Sequence, residues 1–253
     1  MTQRDSFWPT EWEPGLIKTT NVMGLMYKEL SPSSKAFVDY AKHAEAPLLD
    51  VGAAYGVATI AALESGAPGV IACDLSEEHL FILCASTPKA LLSKLTTVLC
   101  KFPYDLTLDA QSLSAINLSN VLHFMDGNSI LDSLHACWRW LKPGGKLFIT
   151  VVTTKNYPQV LPEYTKRVKA GIKWPGIFKI DFLANSSKGI LPEYMHLFEL
   201  ESLRDILEEA HFSIDTIEYF CYKNYPPHFK QEGNEFLSVS ATKVPFKRRF
   251  FPF

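Results

Sequence analysis

The chain has 253 residues, 47% of them hydrophobic, and a formal net charge of −2. That is enough apolar material for one large domain, and it leaves no global positive field to draw the chain to nucleic acid or anionic membrane. Five cysteines (Cys73, Cys84, Cys100, Cys137, Cys221) stand far apart with no Cys-x-x-Cys pair, so neither a disulfide framework nor a metal site is expected.

In chain order, the N-terminal "MTQRDSFWPTEWEPG" carries charges where a signal peptide has its hydrophobic region. No apolar stretch reaches the roughly 18 residues of a membrane span, and a cytoplasmic protein is expected. Residues 1–45, with the helix-like "SPSSKAFVDYAKHA", are expected to lie over the open end of a sheet. "PLLDVG" (47–52) is a short apolar strand closed by Asp and Gly, and "GVATIAALESG" after it has helical composition ending at Gly66. "GVIACD" (69–74) repeats the strand pattern. Ser76 with Glu77 and Glu78 then makes a helix start, the acids lying where the helix dipole favours them.

"LTTVLC" (95–100) reads as a third strand and "LSAINLSNVLHF" (113–124) contains a fourth. Ile130, Leu131, Leu134, Cys137, Trp138 and Leu141 recur at helical spacing before "KPGG" and the strand "KLFITVV". The alternation predicts an α/β fold with a mostly parallel sheet covered on both faces. Residues 153–195 lack a clean period and read as an irregular cap. "ELESLRDILEEAH" (199–211) is an amphipathic helix, and "FSIDTIEYF" and "EFLSVSAT" are later strands, an antiparallel addition at the sheet edge. The tail 244–253 mixes basic residues with phenylalanines and is expected to pack back on the domain or on a partner subunit.

Ligands of open α/β sheets bind beyond the carboxyl ends of the strands, where small residues let backbone approach closely. Gly52, Ala53, Ala54 and Gly56 supply such a turn. A dinucleotide fingerprint needs Gly where Ala54 and Val57 stand, so pyrophosphate is disfavoured. Asp74, eighteen residues beyond Gly56, lies near the distance at which such folds set an acid against a ribose diol.

Taken together, "LLDVGAAYG", the acid of "GVIACD", "SNVLHF" and "LKPGGKLFI" resemble the class I S-adenosylmethionine-dependent methyltransferases, and most closely the branch acting on small molecules. The resemblance covers about residues 47–152, with a weaker echo in "MHLFELESLRDILEEAHF". It implies a Rossmann-like, doubly wound, seven-stranded sheet with an antiparallel edge strand and an inserted cap. A single domain over 1–253 follows, divided into cover (1–45), cofactor-binding core (46–152), cap (153–195), C-terminal helix and edge strands (196–243) and tail (244–253).

The resemblance also implies S-adenosyl-L-methionine as cofactor. Asp50, Gly52, Ala54 and Gly56, with Ala53 between them, would frame its methionine part, Asp74 its ribose and Leu75 its adenine. The family commonly has an acid for the adenine amino group after the third strand; Phe102 and Pro103 stand there instead. Asn120 would lie near the transferred methyl, and Tyr27 would pack over and shield the cofactor. His123 and His196 are the candidate bases, since a hydroxyl or protonated amine acceptor must lose a proton. The basic and aromatic residues of the cap (Tyr157, Tyr164, Trp174, Phe178 and Phe182 with Lys166, Arg167, Lys169 and Lys173) suggest an amphipathic or anionic small acceptor. No nucleic-acid partner is expected, and a homodimer is allowed. The competing readings are a cofactor-binding protein without turnover and a nicotinamide-dependent oxidoreductase, the latter opposed by Val57 and "LKPGG".

Overall fold

The computed structural model describes residues 7–21, 23–179, 192–227 and 229–245. Phe182 and the tail from 246 on lie outside them. Two short strands, β1 (Leu16–Lys18) and β2 (Leu25–Tyr27), pair as an antiparallel hairpin. Helix α1 (Pro32–Ala41) follows, its amino end capped by Ser31, whose hydroxyl accepts from Ser34 N. Then come β3 (Leu48–Val51), α2 (Val57–Glu64), β4 (Val70–Asp74), α3 (Glu77–Ser86), β5 (Leu95–Leu99), β6 (Leu113–Ser119), α4 (Gly127–Trp140) and β7 (Leu141–Val152). The later elements are α5 (Leu161–Lys169), the paired β8 (Ile177–Lys179) and β9 (Tyr194–His196), α6 (Leu200–Glu209), β10 (Phe212–Phe220) and β11 (Phe236–Lys243).

The seven-stranded sheet has the order β10-β11-β7-β6-β3-β4-β5. Strands β7, β6, β3, β4 and β5 are mutually parallel, while β11 runs against both β7 and β10. Alternation along each strand sends neighbours to opposite faces. Leu48, Ala115 and Phe148 meet Phe37 of α1 and Ala62 and Leu63 of α2. Leu49, Ile116, Leu147 and Ile149 meet Leu134 and Cys137 of α4 and Leu203 and Leu207 of α6. Both faces are therefore dry, as the near-continuous apolar runs of β3 and β6 require.

Three local expectations need revision. Helix α1 packs on a sheet face through Phe37 and Ala41, because its apolar stripe is too large to leave at a wet rim; described residues before it, with Ser34 of its first turn, lie at the strand ends. "LKPGG" does not stand between helix and strand: β7 is continuous from Leu141, with a register shift opposite Leu113 and Ala115 that absorbs the two glycines. The cap is partly regular. Its helix α5 buries only Tyr164, so it carried little apolar periodicity to reveal it.

The cap forms a second core with the carboxyl end of the sheet. Val160, Tyr164, Phe178 and Met195 pack with Val152 of β7, Phe236 of β11 and the Tyr222 and Tyr225 that follow β10. This roof and the β1–β2 hairpin flank the switch point between β3 and β6, where chain connections leave in opposite directions and a cleft must open.

Candidate functional site

A cavity of about 700 Å³ occupies that cleft, within the range of small-molecule sites. Asp50, Gly52, Ala53, Ala54, Asp74, Leu75, Phe102, Asn120, Tyr27 and His123 all line it. Gly56, Pro103 and His196 are absent from its described lining.

The turn after β3 is built by backbone conformation. Gly52 has φ +65° and Ala54 φ +46°, and a Cβ on Gly52 would stand 2.7 Å from Val121 Cγ2, so glycine is needed there both for φ and for room. Gly56, with φ +89°, caps α2 and faces away from the cavity: a Cβ there would meet Leu83 Cδ1 at 2.0 Å. Its reason is the close packing of α2 on α3.

Asp74, at the end of β4, is buried and held by three donors. Oδ1 accepts from Ser76 N (2.9 Å) and from His79 Nδ1 (3.0 Å), and Oδ2 accepts from Ala54 N (2.9 Å). A carboxylate has about four acceptor sites, so Oδ2 retains capacity for a donor in the cavity. Asp50 sits deeper, accepting from Thr59 Oγ1 (2.6 Å) and Asn117 Nδ2 (2.8 Å). Burial nevertheless pushes its carboxyl up to about 6, against the pull of those two donors. Asn117 Oδ1 in turn accepts from Ser34 Oγ of α1 (3.4 Å), which ties the base of the site to the N-terminal helix.

At the end of β6 the chain turns through Asn120, at φ +58°, into a single 3-10 turn, Leu122–Phe124. Asn120 Nδ2 donates to Tyr222 Oη (3.1 Å), while its Oδ1 is buried without a hydrogen-bond partner. His123 Nδ1 is likewise buried and unpartnered. Burial first, and the neighbouring His196 second, push the His123 imidazole down to about 3. Its ring stays neutral at any working pH. His196 differs: on β9 its ring stacks on Phe198 (centroids 4.7 Å, interplanar 10°) and meets Trp174 edge-on. Both partners belong to the main core between sheet and helices, where burial pushes the imidazole down to about 4, and His196 is not among the described residues lining the cavity.

In the aromatic half of the cavity the sequence pattern singles out Tyr27, as a cover of the cofactor, and Tyr157 of the cap, but not Tyr222, Tyr225 or Phe236. Tyr27 stacks on Tyr222 (centroids 3.8 Å, interplanar 6°), and Tyr225 and Phe236 close the group at 5.3 Å. Burial holds the Tyr27, Tyr222 and Tyr225 hydroxyls well above their usual range, so they remain neutral donors. Tyr27 closes β2, Tyr222 and Tyr225 follow β10 and Phe236 opens β11, so the group exists only once the β1–β2 hairpin and the β10–β11 pair lie side by side. At the opposite end Phe102 packs edge-on against Trp140 at 6.0 Å, and Cys100 and Lys101 accompany it. Exposed Leu75 forms part of that rim. No carboxylate follows β5 in the described lining, as the sequence suggested. Among the described residues no cluster of His, Cys, Asp or Glu could hold a metal ion, and no helix is long and apolar enough to cross a membrane.

This geometry has counterparts. Residues 48–145 match a family described as a methyltransferase domain. The ubiquinone biosynthesis O-methyltransferase of Rattus norvegicus mitochondria is 27% identical over 203 residues, 78% of this chain and 53% of that protein, so the chain spans about half the length of this curated relative. A solved S-adenosylmethionine-dependent methyltransferase from Mesorhizobium loti superposes with a TM-score of 0.62 at 21% identity, covering 84% of this chain and 96% of its own. One from Methanosarcina mazei gives 0.63 at 19%, covering 85% and 99%. The Burkholderia thailandensis 1,6-didemethyltoxoflavin-N1-methyltransferase, solved with its acceptor and S-adenosylhomocysteine, gives 0.60 at 20%, covering 85% and 77%. At such identities the structures share the fold.

Proposed function

We propose, from a chain that belongs to the class I S-adenosylmethionine-dependent methyltransferase family through residues 48–145 and its sheet order, that it methylates an uncharged small molecule. The observation that carries this reading is one cavity with two chemically different halves. A carboxylate-and-glycine half lies over β3 and β4, and an aromatic half lies over β7 and β11.

The residues present fit the cofactor. Asp74 Oδ2 has acceptor capacity for a ribose hydroxyl, the bare turn at Gly52 admits an amino-acid moiety, and Asp50 offers negative charge for its ammonium. Leu75 and Phe102 supply apolar walls for a purine. The unpartnered Asn120 Oδ1 lies between the two halves, where a buried acceptor left empty is costly and a ligand donor would offset it. When bound, S-adenosylmethionine supplies an already activated methyl group, so the chain's own task is alignment and exclusion of water. The aromatic half holds the acceptor flat and dry. His123, kept neutral, orients an acceptor O–H or N–H as a hydrogen-bond partner; with its imidazole pushed down to about 3 it is a weak base.

The acceptor's charge follows from the lining. Among the described residues, Lys101 at the purine end is the sole lysine or arginine of the cavity. Among the described cap cations, Arg167 is spent on Glu163 and on the carbonyls of Pro175 and Ile177, and Lys166 and Lys173 are exposed. An anionic acceptor would lose its hydration with no counter-charge among the described lining of the aromatic half, which favours the amphipathic over the anionic member of the two acceptor types expected. A flat phenol or heteroaromatic N–H fits the tyrosine walls, and the rat relative's name as an O-methyltransferase makes a hydroxyl the first atom to try.

The five cysteines are free thiols, which supports a reducing, cytoplasmic setting. The experiment is calorimetry with S-adenosylhomocysteine, followed by methyl transfer to matched neutral and carboxylated phenols. Binding with turnover of the neutral member supports the proposal. Binding without turnover over a broad panel, or preference for the carboxylated member, refutes it.

A further inference from the structure

His79 is one of the histidines lining the cavity. It stands in the first turn of α3, 1% exposed, with both ring nitrogens engaged. Nδ1 lies 3.0 Å from Asp74 Oδ1, and Nε2 lies 3.2 Å from the backbone nitrogen of Thr20, which belongs to the segment between β1 and β2. A backbone N–H can only donate, so Nε2 must be the bare nitrogen, and the single N–H of the neutral ring is therefore on Nδ1, aimed at the carboxylate. The N-terminal segment thus selects the tautomer that holds Asp74.

The same segment is fastened beside this contact. Tyr55 Oη donates to Lys18 O (3.1 Å), Trp8 Nε1 donates to Tyr55 O (3.1 Å), and the Tyr55 ring meets the His79 ring edge-on at 5.0 Å. If the cover lifts, Nε2 loses its donor and the ring is free to move its proton. With the proton on Nε2, a lone pair would face the Asp74 carboxylate, and Asp74 would keep only the amides of Ala54 and Ser76.

We propose that His79 couples docking of the N-terminal cover, through Thr20, to the orientation of the Asp74 carboxylate, so that the site closes and grips its ligand as one event. His79 is a positioning residue in this scheme: it acts through Asp74. The proposal rests on the reading of Asp74 as a ligand contact given above. Linkage is reciprocal, so whatever Asp74 binds must also hold the cover down.

Two substitutions split the two contacts. His79→Asn keeps an amide donor near the Nδ1 position and gives up the acceptor for Thr20, whereas His79→Gln reaches Thr20 with its carbonyl and gives up the donor to Asp74. Thr20→Pro removes the N–H itself. The readouts are S-adenosylhomocysteine affinity by calorimetry and hydrogen exchange of the amides of residues 16–27, with and without that ligand. In the wild type the ligand should slow exchange across 16–27.

His79→Asn should bind about fivefold more weakly, the worth of the one neutral hydrogen bond it gives up at the cover, and its cover should no longer gain protection on binding. Thr20→Pro should match it, and the double variant should be no weaker than either single one. His79→Gln should retain a protected cover while still losing affinity. The coupling is overturned if His79→Asn binds as the wild type does and its cover is still protected by ligand, or if the two affinity losses multiply. If the wild type fails to bind S-adenosylhomocysteine, the functional reading of Asp74 falls. The latch is then judged on ligand-free protein, where faster exchange of 16–27 in His79→Asn but not in His79→Gln upholds it and equal exchange overturns it. Thermal melts of each variant identify any that fail to fold.

Discussion

Replacing Gly56 by alanine separates packing from ligand binding at the glycine turn. The residue has φ +89°, where an L side chain costs roughly 1–2 kcal/mol. Its Cβ would stand 2.0 Å from Leu83 Cδ1 and 3.2 Å from Leu83 Cγ. Leu83 is fully buried, so it must change rotamer or push α3 outward, an overpacking cost of roughly 1–3 kcal/mol. The two together give about 2–5 kcal/mol, or a fall in Tm on the order of 10 °C for a chain of this size. Ligand affinity should barely move. The Gly56 N–H donates to Ala53 O and its carbonyl accepts from Ile60 N, and no part of the residue lines the cavity.

The assay pairs thermal melts with S-adenosylhomocysteine titration at a temperature where the variant is folded. Leu83→Ala alone should cost roughly 2–5 kcal/mol as a buried truncation, yet Gly56→Ala should cost about 1–3 kcal/mol less in that background because the clash is gone. A variant as stable as the wild type, or equally destabilised with and without Leu83, would refute the packing argument. A loss of affinity above about tenfold with stability intact would return Gly56 to the binding site.

Asp50 sets a pH signature. Its folded value of about 6 lies above the usual carboxylate range, so between pH about 4 and 6 the folded state binds more protons than the unfolded chain. Its contribution to stability is therefore present at low pH and is lost as pH rises through 6. Denaturant melts of wild type and Asp50→Asn across that window should diverge accordingly, and a parallel course would contradict it. A cationic ligand needs the carboxylate, so S-adenosylmethionine affinity should rise through pH 6 with proton release, read by calorimetry in two buffers. His123→Ala should lower turnover of a neutral acceptor about tenfold, by loss of one orienting contact, with cofactor affinity unchanged; lost cofactor binding would misplace His123. Tyr222→Phe removes the partner of Asn120 Nδ2 and should raise the acceptor KM more than it alters cofactor affinity, and the reverse order would move Tyr222 to the cofactor side.

Much of the fold was legible because the parallel strands announce themselves. β3 is an apolar run carrying an acid and β4 one closed by an acid, followed by a stretch of helical composition and by a helix-start signal respectively, and α6 carries Leu203, Ile206 and Leu207 on one face. The β1–β2 hairpin was not legible, since strands of three residues are too short for a period. The cofactor half of the site could be read because one contiguous turn and one strand end supply it. Of the acceptor half, the sequence points to Tyr27, but as a cover of the cofactor; it does not point to Tyr222, Tyr225 or Phe236, because they are brought together by the β10–β11 pairing and meet Tyr27 of the β1–β2 hairpin across the fold. His196 ranks a little behind His123 as a candidate base in the sequence; which way it faces depends on the register of β9 against β8. His79 did leave a trace, as a histidine five residues past a strand-end aspartate, but the Thr20 contact that gives it meaning spans 59 residues.

The most direct measurement is a calorimetric titration of S-adenosylhomocysteine into the wild-type protein and into Asp74→Asn, with melts of both. We predict saturable one-site binding by the wild type and at least about tenfold weaker binding by the variant, as loss of a charged acceptor implies, with the fold retained. A wild type that ignores both S-adenosylhomocysteine and S-adenosylmethionine, or an Asp74→Asn protein that holds them equally well, would contradict the account.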